Sequence, residues 1–411
     1  MPDASIARRR HLAWLVLLAA AGTFAVTMGA RQSMGLFLNT LNTATGLGLA
    51  SISLAFGVGQ LGWGLTQPFA GIVADRIGAG RVVFAGVLLV ALGVALTPFM
   101  TSTGGLIFAI GVLGAGGAGM AGPSVLMAAT TRLMPPEKRS MAAGIVNAGG
   151  SFGQFVFVPI AQVITAAAGW VVAIQSMAAI TLLALPAAWV LRGNSQPAPG
   201  PSAPPVPKQT TREAVGRALR DPSYRMLSAG FFVCGLHVAF IATHLPGVVA
   251  ACQLPPAVGA WSLAIVGLFN IIGSFAVGWA MGRWRMKSLL ALVYATRALA
   301  VLVFIAVPKT EGVVLVFAAV IGLTYLSTVP PTAGLVAKMF GTSHMATLFG
   351  LVMLSHQLGG FLGAYLGGKA FVATGNYDWM WYADIVLAVG AALIHLPIRE
   401  ARLPARAPVA A

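Results

Sequence analysis

Acidic side chains are scarce in this chain: nine Asp and Glu stand among 411 residues, against 25 Lys and Arg. Charged residues of both signs make up only 8 % of positions while 58 % are apolar, too little charge to solvate the surface of a domain folded in water. A soluble globular protein is thereby excluded. The shortage of acid also limits the chemistry. There is no paired-carboxylate motif, no H-E-x-x-H, no G-x-S-x-G and no phosphate-cradling G-x-x-x-x-G-K in a soluble context, so neither an enzyme nor a nucleotide-driven machine is expected. Cysteine is nearly absent as well. Cys234 and Cys252 form no metal or redox motif and read as membrane-packed thiols, so no metal or other cofactor is expected.

What is present is a succession of long apolar runs. A bilayer core of about 30 Å needs roughly 20 apolar residues per helix, and the sequence divides into twelve such spans, near 12–38, 49–73, 81–100, 105–131, 142–166, 170–191, 224–250, 257–281, 288–307, 312–337, 345–372 and 380–398. The first is longer than the apolar core of a signal peptide and lacks a small-residue cleavage site, so it is read as a span.

A net charge of +16 raises the question of nucleic acid, which the distribution of the charges answers. Numbering the loops alternately, Arg8, Arg9, Arg10, Arg76, Arg81, Arg132, Lys138, Arg139, Arg192, Lys208, Arg212, Arg217, Arg220, Arg225, Arg283, Arg285, Lys287, Lys338, Arg399, Arg402 and Arg406 fall on one side, 21 of the 25. Lys309 and Lys369 fall on the other. This asymmetry is the positive-inside signature: it places both termini in the cytoplasm of a multi-pass protein of the bacterial inner membrane and removes the case for nucleic acid.

The chain divides at "RGNSQPAPGPSAPPVPKQTTREAVGRALRDP", where Pro and Gly replace apolar periodicity. Three units follow: 1–191 and 223–411 as six-span bundles, and 192–222 as a cytoplasmic linker whose second half, "TREAVGRALR", suits a short basic amphipathic helix. The two bundles echo each other. "GIVADRIGAGRVV" from Gly71 matches "GWAMGRWRMKSLL" from Gly278, and "GIVNAGGSFGQF" from Gly144 matches "GLVMLSHQLGGF" from Gly350, at an offset of 206 to 207 residues. One unit of six spans used twice in the same orientation is a parallel repeat, the plan of transporters whose halves rock about a midplane site. The stretch "GAGGAG" (Gly114, Gly116, Gly119) fits a dinucleotide fingerprint but sits inside the fourth span, with Arg139 where an acid is needed. It reads as close helix packing.

Gly71, Asp75, Arg76, Gly78 and Arg81 resemble the cytoplasmic loop signature of the major facilitator superfamily. "RQSMGLFL", "LTQPFAGIVADRIG", "YLSTVPPTAGLVAKMFG" and "LFGLVMLSHQLGGFLGAYLGG" are similar to bacterial relatives of the monocarboxylate transporters and oxalate/formate antiporters. The resemblance covers the whole chain. It implies an all-α membrane protein of twelve transmembrane helices in two six-helix bundles, working as a monomer by alternating access on a small organic anion, with protons as the coupling ion.

The candidate site residues are the polar groups inside spans, which are costly there and therefore functional hypotheses. Arg31, in "VTMGARQSMGLFLNT", is either a carboxylate anchor facing the cavity or a cation snorkelling to the headgroups. Arg297 lies near the middle of the ninth span, as a substrate contact or as a structural donor to neighbouring helices. The resemblance leads one to expect an arginine in the eighth span, in some relatives four residues after an acid. "FNIIGSFAVG" instead offers neutral Asn270 and Ser274, which suits a hydrogen-bonding site. His356 is the best-placed of the span histidines His237, His244 and His356 for handling protons. Tyr325, Thr328, Asn147, Gln154 and Gln60 are further polar candidates, while Lys369 and Asp384 are expected to pair near the outer ends of their spans.

Overall fold

The structure, a computed structural model, describes residues 2–131, 133–135, 138–192, 210–341 and 344–400. Arg132, Lys208, Arg402, Arg406 and the Pro-rich half of the linker, 193–209, lie outside the described residues. Among the described residues every regular element is helical, as hydrocarbon requires, since a helix satisfies its own backbone where water is absent. Among the described residues eleven helices are long and apolar enough to span: α1 His11–Thr45, α2 Leu49–Ile77, α3 Ala79–Phe99, α4 Thr103–Thr130, α5 Met141–Ala168, α6 Trp170–Val190, α7 Pro222–Ala251, α8 Pro256–Ala280, α9 Met286–Ala306, α10 Glu311–Phe340 and α11 Thr347–Thr374. A twelfth, α12 Asp378–His395, carries Asp378, Asp384 and His395 and is less apolar for that reason.

Hydroxyl side chains inside these helices turn back on their own backbone. Thr23 donates to Ala19 O, Ser33 to Gly29 O and Thr97 to Gly93 O, each at 2.8 Å, which leaves no unpaired hydroxyl at these buried positions. The ends are set by local chemistry. Gly78, at φ +97°, makes the one-residue corner between α2 and α3, a conformation open to glycine. Asp221 accepts from Tyr224 N–H to start α7, and Thr310 from Val313 N–H to start α10. The linker helix Thr211–Arg220 forms as expected, with a capping box between Thr210 and Glu213 and with Ala214 and Ala218 buried.

The packing repeats after six helices. α1 packs on α5 as α7 does on α11, α2 on α4 as α8 on α10, and α3 on α6 as α9 on α12. The "GAGGAG" glycines serve these contacts: a Cβ on Gly86 would meet the backbone of Gly117, and one on Gly119 would meet Thr66 and Trp63 O. The halves meet along two seams, α2 against α11 and α5 against α8. On the half of each seam away from the basic loops the helices touch. Ser53 abuts Gly368, Gln60 abuts Gly360, Gly64 abuts Gln357, and Gly267 abuts Ser151 and Gln154. On the half nearest the basic loops they part, and nothing lies within 4 Å of a Cβ built on Gly71, Gly144, Gly278 or Gly350. The molecule is therefore closed at one end and open at its basic end.

Candidate functional site

Arg31 sits in α1 three residues before the helix tightens into a 3-10 turn, Met34–Phe37. Its Nη2 donates to Gln60 Oε1 at 2.8 Å and its guanidinium lies over the Trp63 ring, 5.1 Å from the centroid. Both partners are neutral and belong to α2. Among the described residues no carboxylate forms an ion pair with Arg31. In the other bundle its electrostatic neighbour is Tyr325 of α10.

Tyr325 stands where α10 breaks. The helix runs from Glu311 to Thr324 and resumes at Val329, with Pro330 and Pro331 at the restart preventing continuous hydrogen bonding. The freed groups find partners from three neighbouring helices. The Tyr325 hydroxyl donates to Val238 O of α7 at 3.0 Å. Asn270 of α8 accepts from Leu326 N–H at 2.9 Å and donates to Ser151 Oγ of α5 at 2.7 Å. Arg297 of α9 donates through Nη2 to the carbonyls of Thr324 and Tyr325. Thus a cation from a peripheral helix is spent on the backbone of a helix facing the midline.

The remaining predicted residues fall into separate settings. Gln154 donates to Leu263 O of α8 at 2.9 Å and, with Asn270, ties the bundles together. Ser274 and His356 carry polar atoms buried without hydrogen-bond partners; the His356 ring packs on Phe231, 4.8 Å between centroids. Asp75, Arg76 and Arg81 are exposed beside the Gly78 corner at the basic end. The structure thus brings together Arg31, Tyr325, Asn270 and Arg297 around the α10 break, and leaves the loop motif apart from them. One pairing is corrected. Asp384 does not meet Lys369: its Oδ1 lies 3.3 Å from His237 Nε2 of α7, while Lys369 lies over Tyr365 at 5.8 Å. Helical periodicity placed each of these residues in a span but held no information on which spans adjoin. Trp63 under Arg31 escaped for the same reason.

Six-helix repetition, two inter-bundle seams and polar residues gathered at a broken midline helix are a transporter architecture. A family model described as Major Facilitator Superfamily matches residues 19–364 and again 227–411. The chain belongs to the major facilitator superfamily. Among similar proteins, "Monocarboxylate transporter 13" of Rattus norvegicus is 25 % identical over 388 residues, covering 93 % of this chain and 89 % of that one. "Oxalate:formate antiporter" of Oxalobacter formigenes is 23 % identical, covering 89 % and 86 %. Among solved structures, a bacterial homolog of the human lysosomal transporter Spinster, in an inward-facing and unoccupied conformation, superposes with a TM-score of 0.68 at 16 % identity, over 94 % of this chain and 95 % of that one. That last likeness shows the fold, and the fold is that of the superfamily.

Proposed function

We propose that this superfamily member is a secondary transporter moving a small organic anion of monocarboxylate type across the bacterial inner membrane, coupled to protons, by alternating access of units 1–191 and 223–411. The observation that carries the reading is Arg31: a permanent cation inside a span, oriented by neutral Gln60 and Trp63 and without an acid ion pair among the described residues. A guanidinium held in this way keeps donors for a carboxylate, and the charge of an incoming anion compensates its burial. Tyr325, its electrostatic neighbour, belongs to the opposite bundle, so an anion held by Arg31 toward Tyr325 would sit between the two moving halves. The names of the relatives, a monocarboxylate transporter and an oxalate:formate antiporter, support the same substrate class. On this reading the basic end is cytoplasmic and the open end makes the state inward-open, so that Asp75 and its neighbouring basic residues, exposed at that end, would act as a cytoplasmic latch.

The test is uptake of labelled lactate, pyruvate, oxalate and aromatic acids into proteoliposomes, with and without an inward proton gradient, for the native protein and Arg31→Gln. Gradient-driven uptake of a carboxylate that is lost in the variant is the expected outcome. Native protein that moves none of the anions but moves drugs or a vitamin would sink the assignment in favour of an efflux pump or an importer of a larger solute.

A further inference from the structure

The buried charges of α7, α9 and α12 form a chain that anion binding at Arg31 leaves unused. Asp384 and Arg297 are 2 % and 3 % exposed, and His237 lies between them. The His237 Nδ1 is 3.3 Å from Arg297 Nη1, and its Nε2 is 3.3 Å from Asp384 Oδ1. A guanidinium has donors only, so Nδ1 must be the acceptor and the imidazole proton must sit on Nε2, facing the carboxylate. The histidine is therefore neutral, with its tautomer fixed, and it cannot take a second proton without losing Arg297. Within the chain of three, the group open to an added proton is Asp384. Asp384 Oδ1 is buried and has no aligned hydrogen bond, and it is the acid in the interior of this bundle among the described residues, since Glu311 and Asp378 are exposed and Asp221 and Glu400 lie at helix ends.

The other titratable groups of the bundle interior have contacts of their own outside the Asp384–His237–Arg297 chain. Cys234 of α7 contacts Thr328 Oγ1 at 3.1 Å, and Tyr294 of α9 donates to Gly230 O at 2.5 Å. Tyr325 of α10 donates to Val238 O, His356 of α11 packs on Phe231, and His395 of α12 bonds Ala391 O at 2.6 Å.

We propose that Asp384 is the proton-binding group of this transporter, acting through His237 and Arg297 on the break in α10. The proposal rests on the anion-transport reading. With Asp384 ionised, its charge offsets Arg297 through the intervening imidazole and the cluster is neutral. A proton bound to the carboxylate leaves Arg297 uncompensated behind the Thr324 and Tyr325 carbonyls, on the helix that faces Arg31. The cluster and Arg31 then carry two positive charges together, and one monovalent anion at Arg31 returns the total to the single charge of the empty carrier. Proton and anion are thereby favoured together, and the loaded carrier moves no more charge than the empty one.

Two measurements on the full chain test this. In proteoliposomes, one proton per anion gives about tenfold accumulation of labelled lactate or pyruvate per pH unit of inward gradient. Asp384→Asn, isosteric and permanently neutral, is expected to lose this gradient dependence while still exchanging labelled for unlabelled anion at equal pH. In detergent without any anion, the infrared difference spectrum between alkaline and acidic buffer is expected to show a protonated-carboxyl band that is absent in Asp384→Asn and shifted in midpoint in His237→Gln. The proposal is overturned by gradient-driven accumulation that survives in Asp384→Asn, or by a native protein without such a band. If Asp384→Asn does not fold, the band in the native protein and its shift in His237→Gln decide. A native protein that moves no anion but keeps the Asp384 band would overturn the anion reading and leave the proton site standing.

Discussion

At the scale of single residues, Asn270 is bound by fixed partners while Arg31 retains spare capacity. Asn270 uses both ends of its amide, one on Ser151 and one on the Leu326 N–H. Asn270→Leu strands the half-buried Leu326 N–H and the Ser151 hydroxyl and should cost about 1–3 kcal/mol, read as a lower melting temperature of the detergent-solubilised protein. Asn270→Asp, which keeps the acceptor, should lose less. Arg31→Lys keeps the charge but not the fork. It should raise KM for a transported carboxylate roughly 10- to 100-fold, the equivalent of about 1.5–3 kcal/mol for a charge-assisted bond, with a smaller change in maximal rate. An unchanged KM would mean that the substrate does not use the guanidinium. Outside the spans, burial alone would raise the Glu400 carboxyl, but Lys338 and the backbone N–H groups of Met286 and Lys287 outweigh it and hold the carboxyl below its ordinary range. A depressed carboxyl stabilises the fold above its unfolded pKa of about 4.3 and loses that contribution as pH falls through the folded value. The melting difference between native protein and Glu400→Gln should therefore be present at neutral pH and vanish in acid.

At the scale of elements, the two seams explain why matched glycines recur. Gly57, Gly64 and Gly71 lie seven residues apart on one face of α2. The first two meet Phe361 and Gln357 of α11, so the same register carries Gly71 to the empty space beside Gly350. Gly144 and Gly278 hold the corresponding places on α5 and α8. These are the points where helices that part at the basic end would meet on closing. A leucine at Gly71 is free in the open state and overpacked in the closed one, at a cost of about 1–3 kcal/mol. That shifts the balance toward the basic-end-open state by roughly 5- to 150-fold. Gly368→Leu would meet Ser53 in the state seen here and should shift it the other way. Spin-label distances between α2 and α11 at the basic end would report both, and a shift of the same sign in both variants would refute the seam register. These pairings rest on a repeat that was readable in the sequence, because matched motifs at a constant offset survive as letters. The facing of α2 on α11 was not, because it depends on how two bundles dock.

At the scale of the whole molecule, topology is open to a direct test with a native thiol. Cys252 lies just beyond α7 at the end opposite the basic loops and is half-buried, whereas Cys234 is sealed within α7. Burial raises the Cys252 thiol above its ordinary range, with Lys309 pulling the other way. A membrane-impermeant maleimide should therefore label intact cells at Cys252, slowly and faster with rising pH, and Cys252→Ser should abolish the signal. Labelling confined to inverted vesicles would reverse the orientation. The sequence by itself determined that the chain lives in a bilayer and that its halves repeat, and it set the expectation for how the chain is threaded, because apolar length, internal similarity and charge asymmetry are properties of a string. It also marked Arg31 and Arg297, since a cation inside an apolar run is conspicuous without coordinates. Tertiary structure alone decided that Arg297 serves the break in α10, that Asp384 answers to His237 rather than Lys369, that Asn270 is a tie between helices, and which end is open. Each of these depends on which spans become neighbours, and in lipid that choice is made by close packing between small residues and by a few buried polar bonds, neither of which leaves a periodic trace along the chain.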